Sequence, residues 1–194
     1  MQLVQVIIVE NSQILDAFKN TFELAKVEQK DEYTLFEGKK VSQDKEMKYL
    51  FLFASDYKKA LKYLGDHYDV FKVVIAGQAS NLGNIDIKNT DVVIPNSFIS
   101  TEGKGTFFLD YAIGESYDLE KFQVILNGIC ATGDIPKDED ENFYADISDE
   151  SVFSILKAIE KQGFLKQTVV VKQVCESSDD SLDNLANITD FIVS

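Results

Sequence analysis

Three acidic residues, Glu10, Glu150 and Glu176, occupy positions where a chain with this pattern places its chemistry. Four segments fall at the carboxyl ends of predicted strands: Glu10 to Gln13, Gly77 to Leu82, Thr132 to Pro136 and Cys175 to Asp180. A fifth, Ser148 to Phe153, opens a predicted helix. Carboxylates gathered from such distant segments can protonate a leaving group, position a water molecule or accept hydrogen bonds from hydroxyls. Glycine lets a chain turn without a Cβ clash, so a turn at Gly77 can bring backbone N–H groups close to a ligand. The expected ligand-binding loops are Gly77-Gln78-Ala79 and Gly133-Asp134-Ile135. Plainer roles compete with these. Glu10 can be an exposed strand end, Glu150 a first-turn carboxylate favoured by a helix dipole, and Glu176 a surface charge. His67, the only histidine, ends a predicted helix and reads as a surface residue. Phe98, Phe107 and Phe108 could line a pocket, although aromatic residues beside strands usually belong to the core.

The elements that must position these residues follow from hydrophobic periodicity. Leu3 to Val9 is a short β-branched run that feeds a helix capped by Asn11 or Ser12, with Ile14, Leu15, Phe18 and Phe22 at helical spacing. Tyr33 to Phe36 and Lys48 to Ala54 read as strands separated by a polar turn. Ser55 then caps a helix that buries Tyr57, Ala60, Leu61, Leu64 and Tyr68. Strands are expected at Phe71 to Ala76, Asp91 to Pro95 and Gln123 to Ala131, and a helix at Glu150 to Gln162 capped by Ser148 or Asp149. Thr168 to Val174 has the continuous β-branched pattern of a central strand covered on both faces. Leu182, Leu185 and Ile188 mark a last helix. Strands alternating with helices give one α/β domain over 1–194, a three-layer αβα arrangement around a mostly parallel mixed sheet. Such sheets bind ligands beyond their strand carboxyl ends.

Composition narrows the partners. The net charge of −14 repels a phosphate backbone, so nucleic acid is excluded as an expected partner. All 19 basic residues are lysine, which removes the planar arginine fork that usually grips phosphate or carboxylate. Cys130 and Cys175 lie far apart in apolar runs and read as reduced thiols, neither a disulfide framework nor a zinc site. The first apolar run contains Glu10 and lacks a basic flank, so neither a leader nor a membrane span is expected. A cytoplasmic protein without a metal or cofactor is the resulting expectation.

Taken in order, these segments resemble the nucleoside phosphorylase and nucleosidase superfamily, and within it the methylthioadenosine/S-adenosylhomocysteine nucleosidases. Val74-Ile75-Ala76-Gly77-Gln78-Ala79-Ser80-Asn81-Leu82 is similar to the family's strand and glycine-rich turn, and Asp91-Val92-Val93-Ile94 to the strand that follows. Gly128 through Gly133-Asp134 resembles the strand closing in Ser-Gly-Asp. Ser148-Asp149-Glu150-Ser151 looks like the Asp-Met-Glu-Ser start of the ribose-contacting helix. Val171-Lys172-Gln173-Val174-Cys175-Glu176-Ser177-Ser178-Asp179 looks like Val-Arg-Ala-Ile-Ser-Asp-Asn-Ala-Asp. The likeness spans nearly the whole chain, which ends soon after the last motif, where family members have another long helix.

The resemblance implies a purine nucleoside as small-molecule partner and a homodimer as the assembly. It places Glu150 and Asp149 at the ribose and Glu176 at the position of the acid that protonates the purine. Glutamate for aspartate there moves the carboxyl by roughly a bond length, and displacements near 1 Å can cost about 10² in rate. The family's water-activating glutamate aligns with Gln13, which cannot act as a base, and leaves Glu10 as the nearby replacement. Asn81 replaces a turn glycine, Asp149 a methionine that packs on ribose, and Pro136 falls near an aromatic position that stacks the base. The expected activity is hydrolysis of the N-glycosidic bond of a methylthioadenosine-like ribonucleoside. The alternatives are a catalytically impaired nucleoside-binding or assembly protein and a phosphate-dependent phosphorylase, which the missing arginine disfavours.

Overall fold

The computed structural model describes residues 1–40, 47–110, 124–133, 144–177 and 179–194. In chain order the elements are β1 (Gln2–Val9), α1 (Ser12–Ala17), β2 (Phe22–Gln29), β3 (Tyr33–Lys40), β4 (Lys48–Ala54), α2 (Tyr57–His67) and β5 (Tyr68–Asn81). There follow β6 (Val92–Ser100), β7 (Thr106–Phe108), β8 (Val124–Thr132), β9 (Ile147–Asp149), α3 (Val152–Lys161), β10 (Thr168–Val174) and α4 (Asp183–Val193).

Side-chain alternation along the strands sorts the core into two layers. Val4, Val6 and Ile8 of β1, Val73 and Ile75 of β5 and Val170 and Val174 of β10 pack with Ala60, Leu61 and Leu64 of α2 and with Val152, Ile155, Leu156 and Ile159 of α3. The opposite residues, Ile7 and Val9, Val74 and Ala76, and Val169 and Val171, pack with Ile14 of α1 and Leu185, Ile188 and Ile192 of α4. Helices therefore cover both faces of a mixed sheet, which is the expected α/β class.

β5 departs most from expectation. The sequence predicts a strand ending at Ala76 and a loop from Gly77; instead β5 runs unbroken to Asn81. Three neighbours in succession supply its hydrogen bonds. β1 pairs with it in parallel from Tyr68 to Ala76, β10 in parallel from Val73 to Ala79, and β9 antiparallel at Ser80 and Asn81. β10 also pairs with β6, β6 with β8 and β8 with β9, so β5, β10, β6, β8 and β9 close into a ring. Closing the ring needs a strand long enough to leave one neighbour and reach another. Pro95 sits inside β6 where the register against β8 shifts, a place that tolerates the missing N–H.

At the other side of the sheet, β4, β3 and β2 extend from β1, with β2 at the edge. The first helix ends at Ala17 rather than continuing to Phe22, and after a 3-10 turn Phe22 opens β2. Phe22 is buried edge-on against the rings of Tyr49 and Phe51 of β4, contacts that a continued helix would not reach. The second helix is capped by Asp56, whose carboxylate accepts from Lys59 N–H at 3.1 Å, and not by Ser55.

Candidate functional site

The site begins with register. β5 lies between β1 and β10; Val9 pairs with Ala76, so Glu10 follows beside Gly77, and Lys172 pairs with Gly77 from the other flank. All three project toward the α2/α3 face. Strands two apart are separated by roughly 9.5 Å, a gap that a lysine reaches only by crossing the strand between them. Gly77 makes the crossing possible: a Cβ there would collide with the Glu10 carboxylate and the Lys172 ammonium. The glycine is required for space above an extended strand, not for the turn that its sequence context suggests.

Lys172 is fully buried and ion-paired with two carboxylates, Glu10 and Asp149, the latter at 2.6 Å. Asp149 closes β9, and its second oxygen accepts the N–H groups of Ser151 at 2.7 Å and Val152 at 2.5 Å, which anchors the first turn of α3. Glu10 accepts in addition from the Ser151 hydroxyl at 2.9 Å. One cation thus serves two acids, and the acids are not equally supported. Burial lifts the Glu10 carboxyl from its ordinary 4.5 to about 7 despite the neighbouring ammonium, and the charge of Asp149 pushes in the same direction. Burial acts on Asp149 too, but Lys172 and the two amides outweigh it and hold this carboxyl below the usual range. Burial loosens the proton on Lys172, but the two carboxylates outweigh it and keep the proton bound more tightly than usual. Tyr57 on α2 is pushed up to about 12 by burial and then by the charge of Glu10.

Above this cluster opens a cavity of about 500 Å³, within the range of small-molecule sites. Its lining includes Glu10, Asn11, Gln78, Ala79, Glu150 and Glu176. The three acidic residues singled out from sequence are therefore brought to one cavity, from the end of β1, the start of α3 and the end of β10. Glu150 and Glu176 are exposed, whereas the Glu10 side chain retains 12% of its accessibility. The turn that carries Glu176 is held by the Asp180 carboxylate, which accepts the N–H groups of Glu176 at 2.9 Å and Ser177 at 3.0 Å. Asn11 caps α1 through Ile14 N–H at 3.0 Å and donates its amide to Gln78 at 3.1 Å, which ties the β1 and β5 sides of the cavity together.

Other expected site residues fall elsewhere. Asp149, expected at the ribose, touches the cavity, and its two oxygens accept from Lys172 and from the N–H groups of Ser151 and Val152. Gly77 lies under the Glu10–Lys172 pair, and Gly133, in a left-handed conformation at φ 109°, donates its N–H to the Asp149 carbonyl at 3.0 Å. Asp134, Ile135 and Pro136 lie outside the described residues. Phe98 and Phe107 are core residues, Phe108 is exposed, and His67 is an exposed residue stacked on Tyr63. Sequence reasoning missed Lys172 and Ser151. The signal for Lys172 was present: a lysine inside a strand otherwise buried on both faces must find a counter-ion. Among the described residues no group of His, Cys, Asp and Glu is arranged to hold a metal ion, and no helix is long and apolar enough to cross a membrane.

No family model and no curated protein matches the sequence. Solved structures do match. Futalosine hydrolase of Helicobacter pylori superposes with a TM-score of 0.75 at 13% identity, over 99% of this chain and 97% of that one. The Campylobacter jejuni 5'-methylthioadenosine/S-adenosyl homocysteine nucleosidase gives 0.74 at 13%, over 98% and 96%. Purine nucleoside phosphorylase from Toxoplasma gondii, in complex with immucillin-H, gives 0.72 at 14%, over 97% and 89%. The chain has the fold shared by these nucleosidases and phosphorylases.

Proposed function

We propose that the cavity binds a purine ribonucleoside of the methylthioadenosine type and hydrolyses its N-glycosidic bond. The observation that carries this reading is the meeting of Glu10, Glu150 and Glu176 around one cavity on a fold shared with nucleosidases. Glu150, at the opening of α3, accepts hydrogen bonds from the ribose hydroxyls; charge-assisted bonds of this kind are about twice as strong as neutral ones. Glu176 donates its proton to a purine ring nitrogen as the C–N bond breaks and the electron pair leaves with the base. Glu10 takes a proton from the water whose oxygen forms the new bond to the sugar carbon. A carboxyl that titrates near 7 suits such a base at neutral pH.

Water is favoured over phosphate as nucleophile. Glu10, Asp149, Glu150 and Glu176 line the cavity, and its described lining contains no lysine. Lys172, the cation beneath it, is already committed to two carboxylates. A dianion entering there would meet repulsion without a compensating charge. A second reading, nucleoside binding without turnover, draws support from Gln13 at the aligned water-activating position and from the longer acid at 176. The same proposal extends to a cytoplasmic homodimer, which sedimentation equilibrium and cell fractionation test.

The protein is incubated with methylthioadenosine, adenosine, inosine and S-adenosylhomocysteine, with and without phosphate. Free base released without phosphate is the expected result, and release that requires phosphate overturns the hydrolytic reading. Measurable nucleoside binding with no release in either buffer selects the second reading. Glu176→Gln is expected to lower turnover by about 10²–10⁴-fold, the usual weight of a general acid.

A further inference from the structure

Lys172 is the sole cation in contact with Glu10 among the described residues, yet it does not belong to Glu10 alone. Its other partner, Asp149, reaches it from β9 at 2.6 Å and is itself buried. Asp149 has three donors: Lys172 on one oxygen and the N–H groups of Ser151 and Val152 on the other. Glu10 has two among the described residues, Lys172 and the Ser151 hydroxyl. Two acids and one ammonium leave one negative charge in excess inside the protein. The excess is relieved by a proton, and the proton goes to the acid with fewer donors and access to the cavity.

We propose that Asp149 is a positioning residue: by claiming a share of Lys172 it keeps Glu10 from being locked as a permanent ion-pair partner and leaves Glu10 able to take up and release a proton at the cavity. This rests on the reading of Glu10 as the water-activating carboxylate. The groups that face Glu10 are Lys172 from β10, Asp149 from β9, Ser151 from the start of α3 and Tyr57 from α2; Cys130 of β8 lies within the same electrostatic environment, its thiol pushed up to about 12 by burial. Of these, only Asp149 adds negative charge at neutral pH, since Tyr57 and Cys130 titrate far above it. The elevation of Glu10 to about 7 agrees with this arrangement.

The test follows the Glu10 carboxyl itself by NMR in protein labelled with ¹³C in glutamate side chains, with Glu10→Gln to assign the resonance. Asp149→Asn removes the competing charge and is expected to lower the Glu10 titration midpoint by about one unit or more. Because asparagine also brings an amide donor toward Lys172, Asp149→Ser serves as the second variant; its hydroxyl can still accept the α3 amides and no charge remains. The same downward shift is expected, together with a matching shift of the acidic limb of the pH–rate profile. A Glu10 midpoint in the ordinary carboxylate range in the wild type, or one that neither variant moves, overturns the proposal. The NMR measurement needs no turnover, so it stands apart from failure of the hydrolase reading: shifted midpoints in a protein that releases no base uphold the role of Asp149 and reject only the chemistry.

Discussion

Among the described residues two lysines are buried, Lys40 and Lys172, and they meet different company. Lys40, at the end of β3, pairs with one carboxylate, Asp190 of α4, at 2.6 Å, and its ammonium lies 5.4 Å from the ring centroid of Tyr49 and 5.7 Å from that of Phe22. Among the described residues charge balances there, and the contact fastens the end of α4 to the sheet with help from Gln5, whose amide donates to the Val193 carbonyl at 2.9 Å. Lys172 meets two carboxylates beneath an open cavity, and charge does not balance. A balanced buried pair has nothing to exchange. An unbalanced one with access to solvent can bind a proton that moves, and the role proposed for Glu10 rests on that difference.

The comparison breaks most sharply on activity. Glu10→Gln is expected to lower base release by about 10²–10⁴-fold, while Lys40→Met leaves the rate per folded molecule unchanged. Steady-state kinetics on the two variants decide it, and equal losses would mean that the Lys172 cluster has no special role. Stability comes next. Lys172→Met strands two acids in the interior and is expected to cost about 3–5 kcal/mol by urea unfolding, against about 1 kcal/mol for Lys40→Met, whose partner Asp190 is partly exposed. Gly77→Ala places a Cβ where the Glu10 and Lys172 charges meet. Moving these groups by about 1 Å is expected to cost on the order of 10² in rate.

The smallest effect is a linkage of stability to pH. The folded Glu10 holds its proton up to about 7, whereas the unfolded carboxyl releases it near 4.5. The contribution of Glu10 is therefore fully present below pH 4.5 and is lost as pH rises through about 7. Asp149 acts with the opposite sign, its contribution fading only as pH falls below its ordinary 3.8. Thermal melts of wild type and Glu10→Gln across pH 4 to 8 measure the difference, which is expected to vanish in the variant as a slope and to persist in Lys40→Met.

The same contrast shows what sequence can reveal. The strand and helix pattern was legible because β-branched runs and helical spacing are local signals, as in Lys48–Ala54, found with its expected bounds. The three glutamates were legible because each follows or opens such an element. β2 was not: Glu23, Lys26 and Glu28 on an edge strand carry no apolar alternation. Nor was the length of β5, since the partners that extend it past Gly77 lie far along the chain. Asp149 and Lys172 are 23 residues apart on strands that do not pair with each other, and only the closed ring brings their charges together.

Release of free purine from methylthioadenosine in phosphate-free buffer, followed across pH in wild type and Glu10→Gln, tests the role of Glu10 most directly. The rate is expected to rise with pH through about 7 as Glu10 loses its proton, and to collapse in the variant. Release that depends on added phosphate, or that survives undiminished without the Glu10 carboxylate, would contradict it.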